Sequence, residues 1–325
     1  LIRSHATAIG ELMSKESVRA MMAVRINSLA KGNSGVHPDV LTQIVNFLNF
    51  DITPAIPRIG SLGASGDLAP LSHMALALIG EGEVLTPEGL TEPAKIQLRH
   101  HGLIPLELRA KDGLSLINGT SQMCSFLTLS EQRLSNLMVY ADMVLCTSIE
   151  ARQASVTPAD ERVHNARPHQ GQLAVSQRIR TLLANSPIMA SHADCDQVQD
   201  AYSFRCAPQV HGAVYERYSA LQNTLNIELN SATDNPLVFP DHANPGPHEV
   251  VSQGNFHGEV LALTADSMSA AVFELASISE RRIDQMLDPA RSGMPAFLAK
   301  DSGLESGLMI VQYVAGASLS ELHGH

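Results

Sequence analysis

Apolar residues recur at helical spacing through most of the chain. Between Glu16 and Ala30, Val18, Met21, Met22, Ile26 and Leu29 fall close to a 3.6-residue period, and Gly32-Asn33-Ser34-Gly35 supplies a stop. Pro38 suits the first turn of the next helix, where its missing N–H costs little, and Val40, Leu41, Ile44, Val45 and Leu48 make the expected buried stripe. Residues 1–14 also read as a helix. The prolines of Thr53-Pro54-Ala55-Ile56-Pro57 force extended backbone. Leu68 to Ile79 is apolar almost throughout and reads as a buried helix. Glu83-Val84-Leu85 with the turn Pro87-Glu88-Gly89 predicts a short hairpin or irregular arm.

A soft boundary falls near residue 110, and beyond Gly113 the helices lengthen. One is predicted from about Thr120 to Gln153, too long for an ordinary surface helix and typical of a central bundle. Further helices are predicted over Ala174–Ala184, Ala207–Glu228, Phe256 to about Leu287, and 306–321. Pro158 to His169 reads as loop. Val238-Phe239 and Val250-Val251 flank the Pro- and Gly-rich insertion Pro240 to Pro247 and predict a small hairpin. Glu280-Arg281-Arg282 reads as a solvated or interhelical charge cluster. No internal repeat is visible.

Composition sharpens this picture. Aromatics make up 4% and tryptophan is absent, a palette that favours helix over sheet. Charge is sparse and acidic, net −11, which speaks against nucleic acid or an anionic membrane as partner. Helix faces with so little polar cover predict oligomerisation. Cys124, Cys146, Cys195 and Cys206 lack zinc-type spacing and read as buried or idle thiols; the histidines show no metal pairing. No leader is visible, and no apolar run reaches ~18 residues without a polar interruption, so the cytoplasm is the expected compartment. Asn118-Gly119-Thr120 fits a glycosylation acceptor, an accidental match without a secretory route. Leu1 and His325 both lie uncapped beside predicted helices, so the chain reads as a fragment of a longer one.

The densest chemistry is in Gly60-Ser61-Leu62-Gly63-Ala64-Ser65-Gly66-Asp67-Leu68-Ala69-Pro70. Asp67 is a good N-cap for the helix that follows, which puts Ala64-Ser65-Gly66 at the positive end of a helix dipole. Three readings stand for this loop. It is a plain turn before a helix; or a phosphate cradle, which wants Lys-Ser or Lys-Thr after the last glycine and finds Asp-Leu instead. The third reading is covalent. The unhindered Gly66 nitrogen attacks the Ala64 carbonyl, and loss of water from the ring and from the Ser65 side chain leaves a methylidene-imidazolone, an electrophile made from the chain itself.

Gly60 to His73 resembles the signature of the aromatic amino acid lyases: histidine, phenylalanine and tyrosine ammonia-lyases and the related aminomutases. Asn118-Gly119-Thr120, Val198 to Cys206, Ala232-Thr233-Asp234-Asn235-Pro236-Leu237 and Gly254-Asn255-Phe256-His257-Gly258-Glu259 resemble further blocks of that family in its order. The resemblance implies an all-α fold. A long central bundle of the fumarase/aspartase-like type occupies 111–325, and a smaller, partly irregular prosthetic-group region occupies 1–110. It implies that Ala64, Ser65 and Gly66 form the methylidene-imidazolone with no external cofactor. The expected reaction is non-oxidative loss of ammonia from an aromatic L-amino acid, in a homotetramer with shared sites.

Residue roles follow from the same resemblance. Ser4-His5 is typical of the histidine-specific branch and would put His5 near the substrate ring, where one imidazole can hydrogen-bond another. Histidine is therefore the expected substrate and urocanate the expected product. Arg167-Pro168-His169-Gln170 sits closer to phenylalanine or tyrosine types, so those lyases and an aminomutase remain the alternatives. Asn118 would hold the prosthetic oxygen or the substrate amine. Arg205 would clamp the carboxylate, Tyr202 would lie in reach of the electrophile, and Gln199 would support them; spaced at i, i+3 and i+6, the three share a face if that stretch is helical. Phe256 would pack on the prosthetic ring. Asp234-Asn235-Pro236 is a turn by its own chemistry. The family also uses a tyrosine upstream of Ser4-His5 and a glutamate downstream of the last helix, neither within Leu1–His325. A non-catalytic helical scaffold is the rival reading of a different class.

Overall fold

The computed structural model describes residues 1–192, 198–240 and 249–324. Cys195 and nearly all of the Pro240–Pro247 insertion lie outside the described residues. The fold is all-α, with strand among the described residues confined to three two-stranded antiparallel ladders. In chain order the elements are α1 (Ile2–His5), β1 (Ile9–Leu12), α2 (Lys15–Ala30), α3 (Pro38–Asn49), β2 (Pro57–Ile59), α4 (Leu68–Leu78), β3 (Glu83–Leu85), β4 (Thr91–Pro93), α5 (Ala94–His100), α6 (Asp112–Ile117) and α7 (Ser121–Arg152). There follow α8 (Glu161–Asn165), α9 (Gln170–Leu183), α10 (Pro187–Ser191), α11 (Tyr202–Arg205), α12 (Ala207–Glu228), β5 (Leu237–Phe239), β6 (Glu249–Val251), α13 (Glu259–Leu287), α14 (Pro289–Ser292) and α15 (Met309–His323).

Two compact units emerge: residues 1–131 with 222–264, and residues 132–221 with 265–325. In the first, Met21 and Met22 of α2, Ile44 and Phe47 of α3 and Leu71, Met74 and Leu78 of α4 form one fully buried cluster. β1 pairs with β2, and β5 with β6 in the register Leu237↔Val251. In the second, Leu145 and Ile149 of α7, Val175 and Ile179 of α9, Phe204 and Ile278 make a separate core. Gly171 and Gly212 bring α9 and α12 backbone to backbone, since a Cβ on either would strike the other's main chain.

Several expectations need correction. Residues 1–14 are not one helix: the helix ends at His5, Gly10 takes φ +87°, and the chain turns into β1 to pair with β2. In α3 the buried positions are Val40, Gln43, Ile44 and Phe47, while Val45 is exposed. Gln43 goes inward because its amide donates to the carbonyls of Leu78 and Ile104. The expected loop at 158–169 contains α8, whose N-cap Asp160 accepts from the Arg162 N–H. Gln199 lies outside α11 in irregular chain, so Gln199, Tyr202 and Arg205 do not form one helical face. The charge cluster divides: buried Arg282 reaches Ser203 and His211 on other helices, while Glu280, also buried, pairs with the exposed Arg281 beside it on α13. One expectation stands beside these: among the described residues α13 is long and apolar enough by composition to cross a bilayer, yet Asp266 and Glu274 interrupt its apolar run. Its buried positions Leu261, Met268, Ala271, Leu275 and Ile278 follow helical spacing.

Candidate functional site

The loop ahead of α4 is a tight turn. The Gly66 N–H points back to the Gly63 carbonyl at 3.3 Å, both glycines have positive φ (+82° and +73°), and Ala64 and Ser65 are exposed at the tip. Two other backbone segments hold the stem. Gly258 donates its N–H to the Gly63 carbonyl at 2.9 Å, and the Gly119 carbonyl accepts from the Asp67 N–H at 2.7 Å. Gly66 is buried against Gly119 so closely that a Cβ would lie 2.6 Å from its carbonyl oxygen and 2.9 Å from its nitrogen. Only glycine fits there, whatever its neighbours.

Asp67 occupies the N-cap position of α4 but does not cap it. Its fully buried carboxylate instead accepts from the Ser61 hydroxyl (2.7 Å) and from the N–H groups of Gln122 (2.6 Å) and Met123 (3.2 Å), the open N-terminus of α7. The residue beside the turn thus fastens it to the longest helix. No local pattern in the sequence distinguishes this from an ordinary cap. Behind the same segment lies Arg25, also fully buried, whose Nη2 donates to the carbonyls of Ser115 and Asn118. Burial lowers its pKa to about 10, so it stays charged at neutral pH.

Burial pushes the Asp67 carboxyl up to about 6, against the pull of the Ser61, Met123 and Gln122 donors and of Arg25. The folded state therefore holds this proton at a pH where an unfolded aspartate, near 3.8, has lost it. The associated stability is full below about pH 4 and is lost as pH rises through about 6. Asp67→Asn is expected to flatten that stretch of the stability curve. Above pH 7 it is expected to be at least as stable as the parent, because its amide oxygen still accepts from the α7 N–H groups without a buried charge. Urea unfolding at a series of pH values checks both.

Three of the other expected site residues share the first unit with the turn. His5 is half-buried on α1, which packs against α4 and α6. Its Nδ1 lies 2.9 Å from both the Ser4 hydroxyl and the Leu1 carbonyl. A carbonyl only accepts, so Nδ1 carries the proton and Nε2 is left as an acceptor. Asn118 is buried, its amide donating to the Asn235 carbonyl at 3.2 Å and its own carbonyl held by Arg25. Phe256 is half-buried two residues before Gly258. Asp234, read as a mere turn residue, is fully buried and paired with Lys111 at 2.7 Å, which anchors the segment that Asn118 contacts.

Gln199, Tyr202 and Arg205 belong to the second unit. Gln199 and Arg205 line two adjoining recesses there, of about 800 and 740 Å³; Tyr202 lines the second only. The half-buried Arg205 guanidinium lies over the exposed Tyr202 ring, 4.7 Å from its centroid. Cys206 borders both recesses. Cys124 and Cys146, by contrast, are pushed by burial to about 12 and about 11, which leaves them inert thiols at neutral pH.

The sequence matches the aromatic amino acid lyase family over residues 1–325. It is 48% identical over 322 residues to histidine ammonia-lyase of Deinococcus radiodurans, covering 99% of this chain and 60% of that one. Among solved structures it resembles histidine ammonia-lyase from Trypanosoma cruzi (TM-score 0.89, 42% identity, covering 99% of this chain and 60% of that one). It also resembles tyrosine aminomutase from Streptomyces globisporus (TM-score 0.90, 38% identity, 100% and 64%). The chain spans about half to two-thirds of the length of the relatives it matches, and it belongs to the aromatic amino acid lyase family.

Proposed function

We propose that this chain carries the prosthetic group and the greater part of the substrate site of a histidine ammonia-lyase, which converts L-histidine to urocanate and ammonia. The observation that carries the reading is the 63–66 turn, a cyclisable Ala-Ser-Gly held by backbone on two sides, with a glycine packed where no side chain fits. Attack of the Gly66 nitrogen on the Ala64 carbonyl carbon, followed by loss of that carbonyl oxygen as water, closes the ring. Loss of the Ser65 Cα proton and hydroxyl removes the second water. Once formed, the methylidene-imidazolone supplies an electrophile that turns the substrate's α-amino group into a leaving group.

The remaining roles fall to the chain's own side chains. Arg205 binds the substrate carboxylate with Tyr202 beside it and Gln199 in support. His5 offers Nε2 to the substrate imidazole N–H, which explains a preference for histidine over phenylalanine. Asn118 provides an amide to the site, and Phe256 its apolar wall. We assign removal of the β proton to the family's tyrosine upstream of Ser4-His5, and completion of the pocket to the glutamate downstream; both lie outside residues 1–325. On this reading residues 1–110 are the prosthetic-group region and 111–325 the helical bundle. Four copies build the shared sites of a cytoplasmic homotetramer.

The test is direct. Full-length protein given L-histidine is expected to accumulate urocanate absorbance, with little turnover of L-tyrosine or L-phenylalanine. Its intact mass is expected to fall about 36 Da short of the sequence, two waters, which marks the activated electrophile. Full mass and no product from any of the three would leave a scaffold. A β-amino acid product would identify an aminomutase.

A further inference from the structure

The carboxylate clamp of the proposed site has an unusual foundation. Tyr202 and Arg205 are the ends of a helix only four residues long, with no side-chain cap. So short a helix has almost no stability of its own. Its position is therefore set by the rest of the unit, through α12, which begins at Ala207, and through the two residues between Tyr202 and Arg205. Phe204 is buried in the second unit's core, and the Ser203 carbonyl accepts a hydrogen bond from Arg282 Nη1 at 3.3 Å.

Arg282 is itself 2% exposed and fixed on two further sides. Its Nη2 donates to the Ser279 hydroxyl one turn earlier on α13 (2.9 Å), and its Nη1 also faces His211 Nε2 on α12 at 3.3 Å. A guanidinium has no acceptor, so His211 Nε2 must be the acceptor and its proton must sit on Nδ1. That Nδ1 donates to Asp142 on α7 at 2.7 Å, and the other oxygen of Asp142 is paired with Arg178 on α9. Asp142, His211 and Arg282 are all essentially inaccessible to water. One connected polar chain thus links α7, α9, α12 and α13 to the backbone of α11.

A buried charge network of this kind is a poor source of stability, because desolvation offsets much of the attraction. What it does supply is geometric definition, since each donor has one place to go. We propose that Arg282, held by Ser279 and by the His211–Asp142 pair, is a positioning residue for substrate binding: it sets the Ser203 carbonyl, and hence α11, so that Arg205 and Tyr202 meet the substrate carboxylate. The inference rests on the assignment of Arg205 and Tyr202 to substrate binding.

The test compares two competitive inhibitors of the full-length enzyme, urocanate, which carries the carboxylate, and imidazole, which does not. For Arg282→Gln, the mass deficit of the parent is expected to persist. The inhibition constant of urocanate and the KM for histidine are expected to rise about tenfold, a modest misplacement by the standard of site geometry. That of imidazole is expected to stay within about twofold. Should Arg282→Gln fail to fold, Ser279→Ala removes one tether only and is expected to move the urocanate-to-imidazole ratio about threefold in the same direction. Equal weakening of both inhibitors, or no change in either, overturns the proposal. Should the parent prefer tyrosine or phenylalanine, the histidine assignment fails alone, and the comparison is repeated with the matching arylacrylate and bare arene. A parent without turnover or mass deficit sinks both readings.

Discussion

Ser65→Ala in the full-length protein is expected to reduce ammonia release by at least about a thousandfold, the scale on which removal of a covalent catalyst is felt. Its melting temperature is expected to stay within about 2 °C of the parent, because Ser65 is exposed at the tip of a turn that backbone contacts hold from below. The mass should follow suit. Without a β-hydroxyl the second water has no source, so the variant retains at least that water relative to the parent. Ammonia release at the parent rate from Ser65→Ala would remove the basis for the proposed chemistry, whatever the sequence similarity.

Gly66→Ala is expected to fail in the opposite way, through the fold as well as the chemistry. Its Cβ would stand 2.6 Å from the Gly119 oxygen, which is backbone and has nowhere to go, since the same oxygen accepts from the Asp67 N–H. Residue 66 also sits at φ +73°, where an L side chain costs about 1–2 kcal/mol before any collision is counted. Overpacking adds about 1–3 kcal/mol. We therefore expect a melting temperature several degrees lower, full sequence mass and no detectable product. The pair of variants separates two demands on one tripeptide: position 65 needs a leaving group, position 66 needs an absent side chain. Calorimetry with intact mass on both proteins reads the difference. A Gly66→Ala protein as stable as Ser65→Ala would show that the turn tolerates a side chain.

Much of the helix content was legible before any coordinates. α2, α3, α7, α9, α12 and α15 lie close to where the apolar periodicity puts them, because a 3.6-residue repeat, Pro38 at the start of α3 and the glycine run after α2 are all local signals. The same holds for the β3–β4 and β5–β6 hairpins. The misreading of residues 1–14 has a definite cause. Ile9 and Leu12 are spaced as a helix would space them, yet they pair with Ile59 and Pro57 from a segment some fifty residues away, which no local signal announces.

The candidate site divides along the same line. The turn chemistry of Ala64-Ser65-Gly66 and the family resemblance of His5, Asn118, Gln199, Tyr202, Arg205 and Phe256 were available from residue types and order alone. What they could not convey is the work of the buried polar groups. Asp67 looks like the cap of the helix it precedes and is in fact the cap of α7, because its carboxylate, once buried, must find donors and the nearest open N–H groups belong to Gln122 and Met123. Arg25 carries no local signal, His211 shows only that it lacks metal pairing, and Arg282 reads as part of a solvated or interhelical charge cluster. Only packing shows them as buried groups that hold backbone carbonyls or one another. The sequence by itself marked the long helices and the tripeptide proposed to cyclise, since both depend on adjacent residues. The tertiary structure decided which charges are buried and what they hold in place, since a buried donor's partner is chosen by space and not by distance along the chain.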